Sequence, residues 1–366
     1  MQGATGPGGA WEGLKDIVFG LERERFEPVL VCSEAPSWLG SSDKVETVVI
    51  EMPLLREDES FSRTPLAVGR LREVIRSRGI SLVHANNVWD APYAIMAAKP
   101  LSIPIVVHVR TRIDREKAKK YSLDEADVVA STSRAAVQVL WGFEPLTGRV
   151  FYLPNGIDLS RFNPEQSGEE TRRKHGIGSE AVVFGAVGRI DRLKGLDILV
   201  SAFARVADGA EPARLLIVGE GKGSSFKEDL VEMIEKLHLS KRVVFAGHQD
   251  DPASYLAAID VLVMPSRTEG FGRSAVEAMA MAKPVIASDI GTLPEIVMDG
   301  LTGCVFPNGD VDALADKMNE LAASQRKRKT LGRTGRSLAE GRFDLKIMIS
   351  RLQSIYGVLL AGSVRE

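Results

Sequence analysis

Short β-rich runs alternate with helical patterns along the whole chain, and that alternation restricts the fold to parallel sheets flanked by helices. In the first half the runs are Val29 to Cys32, Val48 to Ile50, Leu82 to His84, Ile105 to His108, Val128 to Ala130 and Val150 to Leu153. Val182 to Val187, Leu215 to Val218, Val243 to Ala246, Val261 to Met264 and Val285 to Ala287 repeat the scheme in the second half. Near-continuous apolar runs of this kind suit strands buried on both faces. Between the two series lie Pro154-Asn155-Gly156 and the polar stretch Asn163 to Gly178, which reads as a linker. The expected fold is α/β, with two Rossmann-like domains whose parallel sheets face an interdomain cleft. Their expected bounds are residues 1–160 and 161–340, followed by a terminal segment 341–366.

Helical spacing fills in the layers. Trp11, Leu14, Val18 and Leu21 share one face of a first helix, and Leu196, Leu199, Phe203 and Val206 share one face of another, a stripe that belongs to the core. Phe343, Ile347, Leu352, Ile355 and Leu359 predict a terminal helix over Gly341 to Leu360. Gly6-Pro7-Gly8-Gly9 looks like a strand-to-helix phosphate loop, yet no strand precedes it. The first strand of a doubly wound sheet is central, so the N-terminal sheet is expected to lack its middle strand, through truncation unless another segment fills the gap.

Composition removes several function classes. A net charge of -2 in 366 residues argues against a general nucleic-acid binder, which needs clustered excess cations. Cys32 and Cys304 have no metal-ligand spacing and are expected to be buried thiols of a reduced, cytoplasmic protein. No apolar run reaches the roughly 18 residues of a membrane-spanning helix, and the start lacks the apolar stretch of a secretory signal.

Two segments carry the chemistry. Glu269-Gly270-Phe271-Gly272-Arg273-Ser274-Ala275-Val276-Glu277 places two carboxylates around a glycine-flanked turn that opens a helix, at the carboxyl end of the strand Val261 to Met264. Ligands of open α/β sheets bind at such strand ends. The second segment, Gly188-Arg189-Ile190-Asp191-Arg192-Leu193-Lys194-Gly195, also follows a strand. Glycine lets a ligand approach the backbone, and a guanidinium followed by an ammonium suits the two phosphates of a diphosphate. Taken alone, that segment reads more readily as a solvated loop.

Together these segments resemble the retaining glycosyltransferases of family four, which have the GT-B fold. The likeness runs from Gly8 onward and includes Pro154-Asn155-Gly156-Ile157-Asp158, Val218-Gly219-Glu220-Gly221 and Gly291-Thr292-Leu293-Pro294-Glu295. It implies an acceptor-side first domain, a donor-nucleotide-binding second domain and a terminal helix that returns to the first domain. The same resemblance implies that Arg189 and Lys194 bind the donor diphosphate and stabilise its growing charge. Glu269 would take hydroxyls of the donor sugar, and Glu277 the two ribose hydroxyls. Gly270, Phe271, Gly272 and Arg273 would add main-chain amides at a helix amino terminus. Ser274 and Glu277 also fit a Ser-x-x-Glu capping box, which competes with the ribose role.

In the family the chain resembles, many members carry a histidine after the corresponding strand; aligning on Pro104 puts Arg110 there and His108 two residues earlier. Strand alternation puts His108 and Arg110 on the same side, so both, with Gly8 and Gly9, are candidates for the acceptor or donor phosphate. A buried strand histidine is the competing explanation for His108, and for His84. Pro154-Asn155-Gly156 is explained by a turn. Asp310-Val311-Asp312 reads as a helix cap rather than a metal motif, so no essential metal and no cofactor are expected. Gly219-Glu220-Gly221-Lys222-Gly223 is only a partial dinucleotide fingerprint.

The implied activity is metal-independent, retaining transfer of a sugar from a nucleoside diphosphate to a hydroxyl of a carbohydrate or lipid-linked acceptor. Its setting would be cell-surface polysaccharide or glycolipid synthesis. A UDP-sugar is the favoured donor, although nothing in Gly247-His248-Gln249 selects uracil over guanine or adenine. Arg70, Arg72, Arg76 and Arg78 and the run Arg110 to Lys120 suggest peripheral contact with anionic membrane at its inner face, against the default of solvated helix faces; Arg326 to Arg336 is a further basic run. A nucleotide-sugar epimerase and a sugar-nucleotide-binding protein without transfer are the alternatives.

Overall fold

The computed structural model describes residues 1, 9–36, 38, 45–53, 64–111, 113–206, 213–221 and 225–363. The chain forms two compact units, residues 1–156 with 345–366, and residues 157–344. The divides therefore fall at Gly156/Ile157 and Asp344/Leu345 rather than at 160 and 340. The polar stretch expected to link the domains instead belongs to the second unit. It contains the helix Glu169–Lys174, whose Arg172 donates to Ala258 O at 2.8 Å and to Asp260 at 2.9 Å.

The first unit holds strands β1 (Val29–Cys32), β2 (Glu46–Val49), β3 (Val83–Ala85), β4 (Ile105–Val109), β5 (Val128–Ser131) and β6 (Val150–Tyr152). Two groups form, the parallel pair β1-β2 and the parallel sheet β3-β4-β5-β6. The Met1 amine donates to His84 O at 2.7 Å, and Asn86 N donates to Met1 O at 3.0 Å. This is the bonding of a parallel strand residue beside β3. Trp11, Leu14 and Val18 of the helix Gly9–Gly20 are buried against Leu30 and Cys32, whereas Leu21 lies past the helix end and joins a different cluster.

The helix Leu345–Ser363 packs within this unit. Met348, Ile349, Leu352 and Tyr356 join Ile17, Leu21 and Val106 in one cluster, and Gln353 exchanges hydrogen bonds of 2.8 and 2.9 Å with Glu22. Phe343 is not part of that helix. It ends the helix Gln325–Arg342 and packs in the second unit against Phe271, ring centroids 6.0 Å apart.

The second unit is one parallel sheet of β7 (Val183–Val187), β8 (Arg214–Val218), β9 (Val243–Gly247), β10 (Val261–Met264), β11 (Val285–Ser288) and β12 (Gly303–Phe306), in the order β12-β11-β10-β7-β8-β9. Val183 and Phe184 point into separate apolar clusters on its two faces, which is why the strands read as unbroken apolar runs. The strand β12 was not among those expected. The strand order reverses between β7 and β10, and this switch point is where a doubly wound sheet opens a ligand crevice.

Candidate active site

Both chemistry-bearing segments leave the sheet at that switch point. Gly188, at φ 147°, follows β7, and a Cβ on its neighbour Gly219 would lie 1.8 Å from Gly188 O, so two glycines let these strand ends approach. Asp191 accepts from Lys194 N at 3.1 Å and caps the short turn Arg192–Lys194. Gly195 then turns at φ 66°, and a Cβ there would lie 2.0 Å from Pro265 O, which presses the turn onto the exit of β10. Lys194 thereby reaches Glu269, Nζ to Oε2 2.7 Å, with the side chains only 25% and 12% exposed. Arg189 is more open, at 67% exposure, with Asp191 3.4 Å away. Gly188, Arg189, Lys194 and Ser266 line one crevice.

The Glu269 turn is braced from beneath. Glu269 Oε1 accepts from Gly270 N at 3.2 Å, and Gly272, at φ 82°, opens the helix Arg273–Ala280. Thr292 donates its hydroxyl toward Phe271 O at 2.7 Å and Gly270 O at 3.2 Å, while Ser288 donates to Ser266 O at 2.7 Å. The Phe271 ring is buried, so only its main chain faces the turn. The capping box does not form, because the cap position is Gly272 and the Ser274 hydroxyl contacts Met264 sulfur at 3.6 Å. Glu277, 7% exposed, instead accepts from Arg273 Nε at 2.8 Å, so the ribose candidate already holds a cation. Sequence reasoning assigned no role to Thr292, Ser288 or the Arg273 side chain.

In the first unit His108 and Arg110 do share a side, with Arg110 Nη2 3.1 Å from His108 Nδ1. Arg110 is only 8% exposed and is spent inside the unit. Its Nε and Nη2 donate to Asn86 at 2.8 to 3.1 Å, and Nη1 donates to Asn155 Oδ1. The guanidinium is an internal brace, held by Asn86, Asn155 and His108. Burial, with Arg110 and His84 nearby, holds His108 well below the usual histidine range. Burial does the same to His84, whose Nδ1 meets the Tyr356 hydroxyl.

Gly9 opens its helix with free space around it, and Gly8 lies outside the described residues. The close approach falls at Gly13, where a Cβ would lie 2.7 Å from Arg110 Nη1. Pro154-Asn155-Gly156 is more than a turn, since Asn155 serves Arg110 and a Cβ on Gly156 would lie 2.5 Å from Leu345 Cα.

The remaining motifs resolve locally. Asp310 caps the helix Val311–Ala323, accepting from Ala313 N at 2.9 Å, and Asp312 pairs with Arg205. Glu220 O accepts from Ile190 N at 3.1 Å, so Gly219-Glu220-Gly221 backs the Arg189 loop, while Lys222 and Gly223 lie outside the described residues. Both cysteines are buried thiols raised by burial. Arg72 donates to Met96 O at 2.7 Å and Arg78 pairs with Glu46 at 2.7 Å, which ties part of that basic helix to its own unit. Among the described residues no helix is long and apolar enough to cross a membrane, and no group of three or more metal-ligating side chains gathers.

Residues 167–338 match the family model for glycosyl transferases group 1, and residues 7–161 that for glycosyltransferase family 4. The D-inositol 3-phosphate glycosyltransferase of Corynebacterium urealyticum is 34% identical over 75% of this chain and 71% of its own. The capsular polysaccharide biosynthesis glycosyltransferase CapM of Staphylococcus aureus is 31% identical over 57% of this chain, which spans 54% of CapM. Anabaena HepE, solved in complex with UDP, superposes with a TM-score of 0.85 at 22% identity, covering 98% of each chain. The fold is thus that of the GT-B glycosyltransferases. The chain belongs to glycosyltransferase family four, the glycosyl transferases group 1.

Proposed function

We propose that the protein is a metal-independent, retaining transferase that moves a sugar from a nucleoside diphosphate to an acceptor hydroxyl, in polysaccharide or glycolipid synthesis. The observation that carries this reading is the Lys194–Glu269 pair, 2.7 Å apart at the switch point. Lys194 and the exposed Arg189 receive the diphosphate and stabilise the charge that grows as the bond from the anomeric carbon to phosphate breaks. Glu269, released from Lys194, accepts hydrogen bonds from sugar hydroxyls. Glu277 takes the ribose hydroxyls once it shares or releases Arg273. The acceptor oxygen attacks the same face that the phosphate leaves, and its proton passes to the leaving phosphate. This route needs no protein nucleophile.

A UDP-sugar is the favoured donor, supported by the HepE complex with UDP-glucose, itself 22% identical to this chain. The polysaccharide or glycolipid setting is supported by CapM and by the GDP-mannose-dependent monoacylated phosphatidylinositol monomannoside mannosyltransferase of Corynebacterium glutamicum, 31% identical over 80% of each chain. For a lipid-linked acceptor, the exposed basic helix Arg115–Lys120 is the surface proposed to meet anionic lipid at the inner face of the membrane. Equal co-sedimentation with neutral and anionic vesicles counts against that contact.

The test is a thermal-shift comparison of UDP, GDP and ADP in chelator, where a ligand at about 100 times its dissociation constant stabilises by roughly 2.7 kcal/mol. A shift with one nucleotide is expected. A cooperative melt that none of the three moves would overturn the donor-site assignment.

A further inference from the structure

The segments carrying Lys194 and Glu269 are welded together by a side chain that no motif singles out, Arg267. Its amide donates to Leu193 O at 2.8 Å, in the turn that bears Lys194. Its guanidinium donates to Arg192 O at 2.9 Å and grips both oxygens of Asp197, at 2.8 and 2.7 Å. Asp197 stands in the first turn of the helix Leu196–Phe203, directly beyond Gly195. One residue, two places before Glu269, thus holds both ends of the Lys194 turn.

This geometry matters because the Lys194–Glu269 contact cannot persist unchanged during donor binding. Lys194 has to serve phosphate and Glu269 has to serve sugar, so each exchanges its present partner for the ligand. A three-residue turn bounded by a left-handed glycine then needs another anchor, or a flexible ammonium loses its aim. Arg267 supplies one that the donor does not compete for. Burial alone would raise the Asp197 carboxyl, but the Arg267 fork, together with the main-chain amides of Asp197 and Ile198, outweighs it and keeps the carboxyl below its ordinary range. The Arg267 and Asp197 side chains, 40% and 33% exposed, face solvent more than Lys194 and Glu269 do.

We infer that Arg267, through its fork on Asp197 and its bonds to the Arg192–Lys194 turn, is a positioning residue that holds Lys194 on the donor diphosphate while Glu269 turns to the sugar. The inference rests on the donor-site reading above. Lysine cannot replace the arginine, because an ammonium has no planar fork to span two carboxylate oxygens and a carbonyl together.

The test is calorimetric titration of the full chain with UDP, GDP and ADP, well below the melting temperature, for the wild type and for R267Q, R267K and D197N. For the nucleotide the wild type binds best, R267Q and D197N are expected to weaken affinity about tenfold or more. R267K is expected not to restore it. A role in folding alone would lower the ligand-free melting temperature and leave the affinity of the folded protein unchanged, which overturns the inference. Wild-type affinity in R267K overturns it too, because charge rather than the fork would then suffice. If R267Q does not fold, D197N, which keeps the side chain's size, decides. Tight wild-type binding with unaltered binding by the variants removes this inference alone, whereas no wild-type binding of any of the three nucleotides removes the donor-site reading with it.

Discussion

Lys194 and Glu269, 75 residues apart in the chain, meet at 2.7 Å where the strand order of the second unit reverses. Neither loop creates the site alone. Gly195 brings one against Pro265 O, and Thr292 and Ser288 hold the other. The result is a cation and an anion held together at the carboxyl ends of two adjacent strands.

Replacing Lys194 by Ala is expected to lower turnover of the donor by about 10²- to 10³-fold, the scale for losing one group that stabilises developing charge. Glu269→Gln, which removes charge but keeps shape, is expected to impair transfer with a smaller effect on nucleotide affinity. Nucleoside diphosphate release from the sugar nucleotide that the wild type consumes is the measurement. Unchanged release by the Lys194 variant, with its melt intact, would sink the mechanism.

Arg110→Ala is expected to destabilise the protein by about 2–4 kcal/mol, since the guanidinium serves Asn86, Asn155 and His108 from a buried position. Arg110→His is expected to be nearly as costly because an imidazole cannot span those partners. Urea unfolding gives the comparison. An unshifted midpoint in both variants would remove the internal-brace assignment.

Every strand but β12 was legible, because burial on both sheet faces forces continuous apolar runs, and one-sided burial of a helix forces a stripe. The helix Glu169–Lys174 was not, because six polar residues docked through Arg172 carry no hydrophobic period. Phe343 was assigned to the wrong helix because periodicity continues across Asp344, where the chain passes from one unit to the other. Lys194, Glu269 and their glycines were legible as motif positions. The Arg110–Asn155 and Arg267–Asp197 contacts were not, because they join residues 45 and 70 positions apart and leave no local signature.

His108 is buried and His84 partly buried, and both have folded pKa values well below the ordinary 6.5. The unfolded chain then binds more protons than the folded one below about pH 6.5, so stability is full above that value and falls as the pH drops. With both histidines charging only on unfolding, the loss approaches about 2.7 kcal/mol per pH unit. Urea midpoints between pH 7.5 and 5 should fall steeply for the wild type and less steeply for His108→Gln. Equal slopes would show that His108 titrates alike in both states.

Thr292 provides a separate check on how the Glu269 turn is held. Its side chain is nearly wholly buried, and its hydroxyl is shared between Phe271 O and Gly270 O. Valine has the same shape without the donor, so Thr292→Val leaves those carbonyls without the hydroxyl, at a cost of about 1–3 kcal/mol. Serine keeps the donor and loses only a methyl group. The expected order of stability is wild type, then Thr292→Ser, then Thr292→Val. Nucleotide affinity should follow the same order, because the turn that relaxes carries Glu269 and the Gly270–Gly272 amides. If Thr292→Val binds nucleotide as the wild type does while losing stability, the hydroxyl serves the fold and the Glu269 turn keeps its shape without it.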